Sequence, residues 1–248
     1  MKISEFVKES LLDYPGKISA VVFSPGCNYK CLTCHARQIV DDTENISEDK
    51  VFSYLDERKG WIDGIVLCGG EPTLQPDIVD FAGRLKKRGL AVKLDTNGSQ
   101  FSVLQELRER GLVDYVAMDV KGPRELYRGL VGKTYLDFRD DVEKGMNQAT
   151  MFLDYEFRTT VVPVLRNGKP KFMNVEEAEE MVRWVVKVTG SREHKYFVQK
   201  FVARGEEEML DARFSKENLP EEMRETSQEV LEAICEAIKK HIPNVEVR

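Results

Sequence analysis

Three cysteines in one short stretch are the residues best suited to chemistry in this chain. Cys27, Cys31 and Cys34 are separated by three and two residues, and His35 follows at once. This spacing lets one loop supply three corners of a cubane iron–sulfur cluster, which ordinarily has a full set of cysteine ligands. The iron without a cysteine would keep an open position for a small molecule. That arrangement is typical of a catalytic cluster rather than a pure electron carrier.

The same three cysteines and His35 could instead close a structural zinc site. Zinc ligands usually come as two separated pairs, whereas these candidates share one loop, so the spacing favours the cluster. A disulfide framework is not indicated, because 5 cysteines in 248 residues is an odd and low count. The first residues are too charged for a secretory signal, and we therefore expect a cytoplasmic protein.

The composition of the chain indicates which kinds of binding partner are not expected. The net charge of −6 gives no overall field that would favour nucleic acid. No apolar run approaches the ~20 residues needed to cross a bilayer, so no membrane association is expected. The length allows a sizeable core.

Strand-like and helix-like segments alternate along the chain. The predicted strands are Ile18–Ser24, Gly64–Cys68, Ala91–Asp95, Tyr115–Val120, Glu156–Val162 and Tyr196–Phe201. The predicted helices are about Ser47–Arg58, Asp77–Arg88, Ser99–Arg110, Phe138–Ala149, Val175–Val188 and Ser227–His241. This alternation predicts an α/β fold with a parallel sheet, open or curled toward a barrel. We expect one domain over residues 1–248, with a short lead-in over 1–16 and a C-terminal helix over about 226–241.

Glycines and polar residues cluster where predicted strands end. The clusters are Cys68-Gly-Gly-Glu-Pro72, Asp95-Thr-Asn-Gly98 and Asp119-Val-Lys-Gly122, and the cysteine loop follows the first predicted strand. Ligands bind at this edge of parallel α/β folds. The motifs are therefore expected to form one active site.

Taken together, the cysteine loop and Gly69-Gly-Glu-Pro72 resemble the radical S-adenosylmethionine (SAM) superfamily over nearly the full length. The resemblance implies a partial (β/α)6 barrel of parallel strands. Within the superfamily the chain is similar to glycyl-radical-enzyme activating proteins, in particular the longer type that activates anaerobic ribonucleoside-triphosphate reductase. The segments that support this likeness are Leu12-Asp-Tyr-Pro-Gly-Lys17, Pro25-Gly-Cys-Asn28, Leu94-Asp-Thr-Asn-Gly98 and Met118-Asp-Val-Lys-Gly122.

The resemblance also implies a role for each site residue. A [4Fe–4S] cluster would be ligated by Cys27, Cys31 and Cys34, with SAM chelating the fourth iron. SAM would be bound by Gly69, Gly70, Glu71, Asn97 and Lys121, and the first three of these would hold the methionine ammonium group. A monovalent cation near the SAM carboxylate would be bound by Asp95, Thr96 and Asp119. No catalytic residue is predicted beyond those that hold the cluster and SAM.

The implied reaction begins with an electron from an external donor such as flavodoxin or ferredoxin. Reductive cleavage of SAM gives methionine and a 5′-deoxyadenosyl radical, which in an activating enzyme removes a hydrogen atom from a backbone glycine of a partner protein. The alternative is a radical SAM enzyme that acts on a small molecule or RNA, as deazapurine synthases do. A non-enzymatic zinc or iron–sulfur protein would not explain the motifs at successive strand ends.

Two positions depart from the family pattern. The aromatic residue usual before the third cysteine is Thr33 here, so Tyr29 or another side chain would contact the adenine, or the adenine is held differently. Ala36 follows His35 where many relatives have asparagine.

Outside the loop only Cys68 and Cys235 remain, too few for a second cubane. The acidic segment Arg204–Glu225 is expected to line or cover the barrel mouth, or to be a solvated loop.

Overall fold

The computed structural model describes residues 1–41, 46–132 and 138–248, and it divides into two compact units. The first unit comprises residues 1–28, 38–118 and 148–155, and the second comprises 29–37, 119–147 and 156–248. The units are described separately below. Within the described residues, no helix combines the length and the apolar character needed to span a membrane.

The first unit is built on a mostly parallel sheet. Its strands are β1 (Glu5–Ser10), β2 (Ser19–Ser24), β3 (Gly64–Gly69), β4 (Ala91–Thr96) and β5 (Tyr115–Asp119), adjacent in that order. Its helices are α1 (Arg37–Val40), α2 (Glu48–Glu57), α3 (Ile78–Lys86) and α4 (Phe101–Glu109). Only β1 runs antiparallel, against β2. Strands β2, β3 and β4 are buried because they consist largely of β-branched and apolar residues.

The second unit carries three further parallel strands and a hairpin. In chain order its elements are α5 (Arg124–Val131), α6 (Phe138–Ala149), β6 (Asp154–Val161), β7 (Pro163–Arg166), β8 (Lys169–Phe172), α7 (Val175–Thr189), β9 (Tyr196–Lys200), α8 (Gln228–Lys239) and β10 (Val245–Val247). Strand β9 pairs in parallel with β6 on one side and β10 on the other. Helix α7 begins at a capping box formed by Asn174 and Glu177, and it ends at Gly190 in the left-handed conformation.

All six predicted strands and all six predicted helices are present, with ends shifted by a few residues at most. Sequence analysis missed strands β1 and β10, helices α1 and α5, and the β7–β8 hairpin. Strand β1 lies inside the expected lead-in, and its sequence gives little strand signal because four of its six residues are polar. The hairpin turns at Asn167 and Gly168, both with positive φ, within a polar stretch that has little strand character.

Candidate active site

Glu71 is the central side chain of the first unit's site. It follows β3, and only 1% of the residue is exposed. One carboxylate oxygen accepts hydrogen bonds from the Thr73 backbone N–H (3.2 Å), the Thr73 hydroxyl and the Thr96 hydroxyl (2.7 Å). The other accepts from the backbone N–H of Asn97 at 2.7 Å. Glu71 therefore ties the loop after β3 to the end of β4.

The pKa of the Glu71 carboxyl is raised overall, because burial outweighs the hydrogen bonds that it accepts. Removal from water raises the pKa of the Glu71 carboxyl, while the bonds from Asn97, Thr73 and Thr96 lower it. A buried carboxylate that accepts this many hydrogen bonds is held in a fixed position by the protein around it. The geometry therefore gives this side chain the task of holding the loop after β3 in place.

Two glycines bring the loops after β2 and β3 into direct backbone contact. The Gly70 N–H donates to the Ser24 carbonyl (2.9 Å), and the Glu71 N–H donates to the Gly26 carbonyl (2.8 Å). A Cβ atom on Gly70 would overlap that Gly26 carbonyl, and Gly69 has a φ of +113° with Ser24 backbone beside it. Only glycine permits this approach. The segment that leads into Cys27 is thereby fixed by the glycine pair.

Gly70→Ala is expected to destabilise the protein by about 3 kcal/mol, at the upper end of overpacking costs, because the carbonyl it meets is backbone. Gly83→Ala is the matched control, since Gly83 lies in α3 and its added Cβ would come no closer than 3.9 Å to Leu112. The control should be neutral or up to about 1 kcal/mol more stable. Urea unfolding and iron content after reconstitution would measure both. Wild-type stability in Gly70→Ala would refute the glycine requirement.

Asn97 connects this network to the first cysteine. Its side-chain amide donates to the Asn28 side-chain oxygen at 2.9 Å and lies 4.0 Å from the Cys27 sulfur. Its own oxygen accepts from the Ser99 N–H (2.9 Å), and the Ser99 hydroxyl accepts from the Asn28 amide (2.7 Å). The Asp95-Thr-Asn-Gly98 motif thus positions Cys27, a link that the sequence alone did not reveal.

The second unit holds the other two cysteines in a loop without regular structure. The Cys34 N–H donates to the Cys31 carbonyl at 3.0 Å, which closes a tight turn between them. The Cys34 carbonyl accepts from the Leu210 N–H (2.8 Å), and the Glu208 carbonyl accepts from the Arg37 N–H (3.2 Å). The backbone of the cysteine loop is therefore bonded to the acidic segment.

The acidic segment is a packed support rather than a solvated loop. It contains two 3-10 turns, and its apolar side chains join a buried cluster against which Leu32 of the cysteine loop packs; the cluster comprises Phe201, Ala203, Met209, Phe214 and Leu219. Sequence analysis missed this role because the apolar residues are widely spaced among acidic ones. Met209 and Phe214 were the available signal, since such residues are rarely placed in a solvated loop.

Tyr29 does not offer an open ring face. It is only 3% exposed, and its ring meets Tyr127 edge-on at 6.5 Å. Tyr127 in turn meets Trp184 edge-on at 5.8 Å. Tyr29 therefore belongs to a buried aromatic cluster with Tyr127 and Trp184, and this burial disfavours the suggestion that it replaces the missing aromatic residue at the adenine. Thr33 is partly buried.

Charged groups of the second unit lie close to the cysteine loop. Lys121 donates to Asp119 at 2.7 Å, and the Arg158 Nε donates to the other Asp119 oxygen at 3.0 Å. Burial alone would raise the pKa of Asp119, but the two cations lower it to about 2, so Asp119 is ionised at neutral pH. Burial opposes the charge of Lys121, while Asp119 and Cys31 raise its pKa. Burial, Arg204 and Lys121 lower the pKa of His35, which favours a neutral imidazole.

The structure places the three predicted cluster ligands in different units. Cys27 belongs to the first unit, and Cys31 and Cys34 belong to the second; all three are free thiols and partly buried. In the part of the chain that the structure describes, no three histidine, cysteine or acidic side chains are grouped so as to hold a metal ion. The donor chemistry is nevertheless that of iron–sulfur clusters, which bind cysteine thiolates. The type and spacing of the ligands therefore support their assignment.

A comparison with known families identifies the chain. Residues 21–150, which contain the cysteine loop and the motifs after β3, β4 and β5, match the model of the radical SAM superfamily. The chain is a member of the radical SAM superfamily. It is thus an enzyme that uses SAM and a [4Fe–4S] cluster, and the predicted family and these two cofactors are confirmed.

Full-length relatives refine this membership. A candidate glycyl-radical enzyme activating enzyme of Methanocaldococcus jannaschii is 33% identical over 99% of this chain and 95% of its own length. The pyruvate formate-lyase 1-activating enzyme of Escherichia coli K12 is 30% identical over 85% of this chain and 87% of its own length. Within the superfamily, this radical SAM enzyme therefore resembles the activating enzymes.

Solved structures confirm the fold. A domain of a pyruvate-formate lyase-activating enzyme from Bacteroides vulgatus superposes with a TM-score of 0.50 at 13% identity, covering 75% of this chain and 98% of that domain. The α/β architecture with mostly parallel strands is thus the partial TIM-like barrel fold expected of a radical SAM core.

Proposed function

We propose that this radical SAM enzyme activates a glycyl radical enzyme by removing a hydrogen atom from a backbone glycine of that partner. The observation that carries the proposal is the end-to-end similarity to the M. jannaschii candidate activating enzyme, which leaves little of either chain unmatched. The specific partner we propose is an anaerobic ribonucleotide reductase. This assignment comes from the sequence motifs.

Residue roles follow from the ligand types and the site geometry. Cys27, Cys31 and Cys34 would hold the cluster, which when bound and reduced supplies the electron that cleaves SAM. The backbone of Gly69 and Gly70 would face the methionine ammonium, and Glu71 would hold those glycines in place. Lys121 would bind the SAM carboxylate. Asn97 would act next to Cys27, whose sulfur it approaches.

Cysteine usage supports a single cluster. Only Cys68 and Cys235 lie outside the loop, and the structure places Cys68 against the core of the first unit and Cys235 on α8. Two cysteines cannot ligate a second cubane. The electron would therefore come directly from an external cytoplasmic donor, such as flavodoxin or ferredoxin, to the one cluster.

The proposal is tested with the reconstituted, reduced enzyme under anaerobic conditions. SAM is added together with an anaerobic ribonucleotide reductase, with a pyruvate formate-lyase, or with neither. We expect a glycyl radical signal in electron paramagnetic resonance on the reductase, with about one 5′-deoxyadenosine formed per radical as the balanced reaction requires. A reductase in which the radical-bearing glycine is alanine is the control and should give no such signal.

Two results would change the assignment. A radical on pyruvate formate-lyase alone would keep the activating function and replace the partner. Cleavage of SAM that neither protein accelerates, without any glycyl radical, would refute the activating function and favour the alternative of a small-molecule or RNA substrate.

A further inference from the structure

All three residues predicted to bind a monovalent cation already have partners within their own unit. Asp95 forms an ion pair with Lys93. The Thr96 hydroxyl donates to Glu71 at 2.7 Å and accepts from the Gly98 N–H at 3.0 Å. Asp119 is bonded by both Lys121 and Arg158. The side chains as they stand do not fit the role of cation ligands.

Lys93 is a buried lysine, and its position explains why it pairs with Asp95. It lies two residues before Asp95 on β4, so both side chains project from the same face of the strand. Its side chain is 3% exposed, and its ammonium lies 6.0 Å from the centre of the Tyr115 ring on β5. A buried ammonium is costly unless a carboxylate accompanies it. Lys93 is therefore a resident positive charge for Asp95.

Arg158 is likewise a resident positive charge for Asp119. It lies on β6, its side chain is 12% exposed, and it donates to one carboxylate oxygen while Lys121 donates to the other. If Lys121 turned toward the SAM carboxylate, Arg158 would still neutralise Asp119. Asp119, Lys121 and Arg158 together thus carry a net charge of +1 before SAM binds, and this net positive charge disfavours an added cation.

We infer that Lys93 in the first unit and Arg158 in the second unit each supply, to the carboxylate beside them, the positive charge that a monovalent cation would otherwise give, so that SAM binding requires neither sodium nor potassium. A small cation would have to displace the Lys93 ammonium from Asp95 or the Arg158 guanidinium from Asp119, and so break a largely buried ion pair. The inference rests on membership of the superfamily and does not depend on which hydrogen donor the enzyme uses.

The first test measures the dissociation constant of SAM for the cluster-loaded enzyme by anaerobic equilibrium dialysis. The salts are sodium, potassium and tetramethylammonium chloride at equal ionic strength, the last being too large for an oxygen-lined cation site. We expect the three constants to agree within about twofold, since general screening is the same in each salt. Binding at least about tenfold tighter in sodium or potassium, saturating at millimolar concentration, would overturn the inference.

A second test makes the enzyme dependent on a cation. Lys93→Met keeps the apolar stem and removes the charge, so SAM should bind about tenfold more weakly in tetramethylammonium and recover in sodium or potassium. Lys86→Met is the control, because Lys86 pairs with Asp114 at the surface and its loss should change nothing. Broadening of the sodium-23 resonance by Lys93→Met, but not by the wild type, would show the acquired site directly. SAM affinity in Lys93→Met that is the same as wild type in all three salts would contradict the role of Lys93. If Lys93→Met does not fold, the wild-type salt comparison decides alone.

Discussion

The Cys31→Ala enzyme is expected to assemble no [4Fe–4S] cluster and to form no 5′-deoxyadenosine from SAM. Two thiolates would remain in place of three, and cubane clusters are held by cysteine thiolates. The fold should survive, because the turn at this position is closed by the backbone: the Cys31 carbonyl accepts from the Cys34 N–H, and alanine keeps that carbonyl.

Iron and sulfide analysis, the visible spectrum and product quantification would measure the loss. Iron should fall from about four atoms per chain to below about one. Cys235→Ala is the matched control, since this partly buried cysteine lies on α8 with its sulfur 4.0 Å from the Val245 carbonyl. It should keep a full cluster and wild-type cleavage. Reductive cleavage of SAM that persists in Cys31→Ala would refute the claim that this loop holds the cluster that cleaves SAM.

The Glu71→Ala enzyme is expected to assemble the cluster, because the three cysteines are unchanged, but to be markedly less stable and to bind SAM at least about tenfold more weakly. Alanine leaves the donors from Thr73, Thr96 and Asn97 buried without an acceptor. Each such group costs about 1–3 kcal/mol, and because these costs are not additive we expect about 3–5 kcal/mol in total. For a chain of this size that lowers Tm by about 10 °C.

A comparison of variants separates a positioning role from direct contact with SAM. If Glu71 acts through the loop, then Glu71→Gln should lower both Tm of the SAM-free protein and SAM affinity, by smaller amounts than Glu71→Ala. Glu106→Ala is the control, because Glu106 is exposed on α4 and its ion pair is with the exposed Arg110; it should change stability by less than about 0.5 kcal/mol. Weak SAM binding with an unchanged Tm in Glu71→Gln would contradict the positioning role and support direct contact.

Local patterns carried most of the fold prediction. Buried parallel strands such as Gly64–Gly69 are continuous apolar runs, and helices such as Phe138–Ala149 have charged faces, so both are recognisable within a window of a few residues. The strands that were missed are edge or hairpin elements such as Glu5–Ser10 and Lys169–Phe172, which are rich in charged residues and depend on a partner strand for their identity.

The site was predicted unevenly for the same reason. The meeting of the motifs after β3 and β4 followed from the order of the elements, since parallel strands bring their carboxyl ends to one edge. The inward direction of Glu71 did not follow, because its acceptor role depends on Thr96 and Asn97, which are 25 and 26 residues away. The support of the cysteine loop by Met209 and Phe214 depends on a separation larger still.

The sequence by itself determined the chemistry of this enzyme. Three cysteines in one loop, together with the Gly69-Gly-Glu-Pro72 motif, specify the cluster, SAM and the superfamily, because ligand type and spacing are properties of short segments. The tertiary structure decided how each charge is compensated. The pattern of β4 predicts only that Lys93 and Asp95 share a face of the strand. The pairing of β4 with β5 places Lys93 beside Tyr115, and its burial commits it to the ion pair with Asp95. Burial and partners are set only when distant segments meet, and these two quantities decide what a charged side chain does.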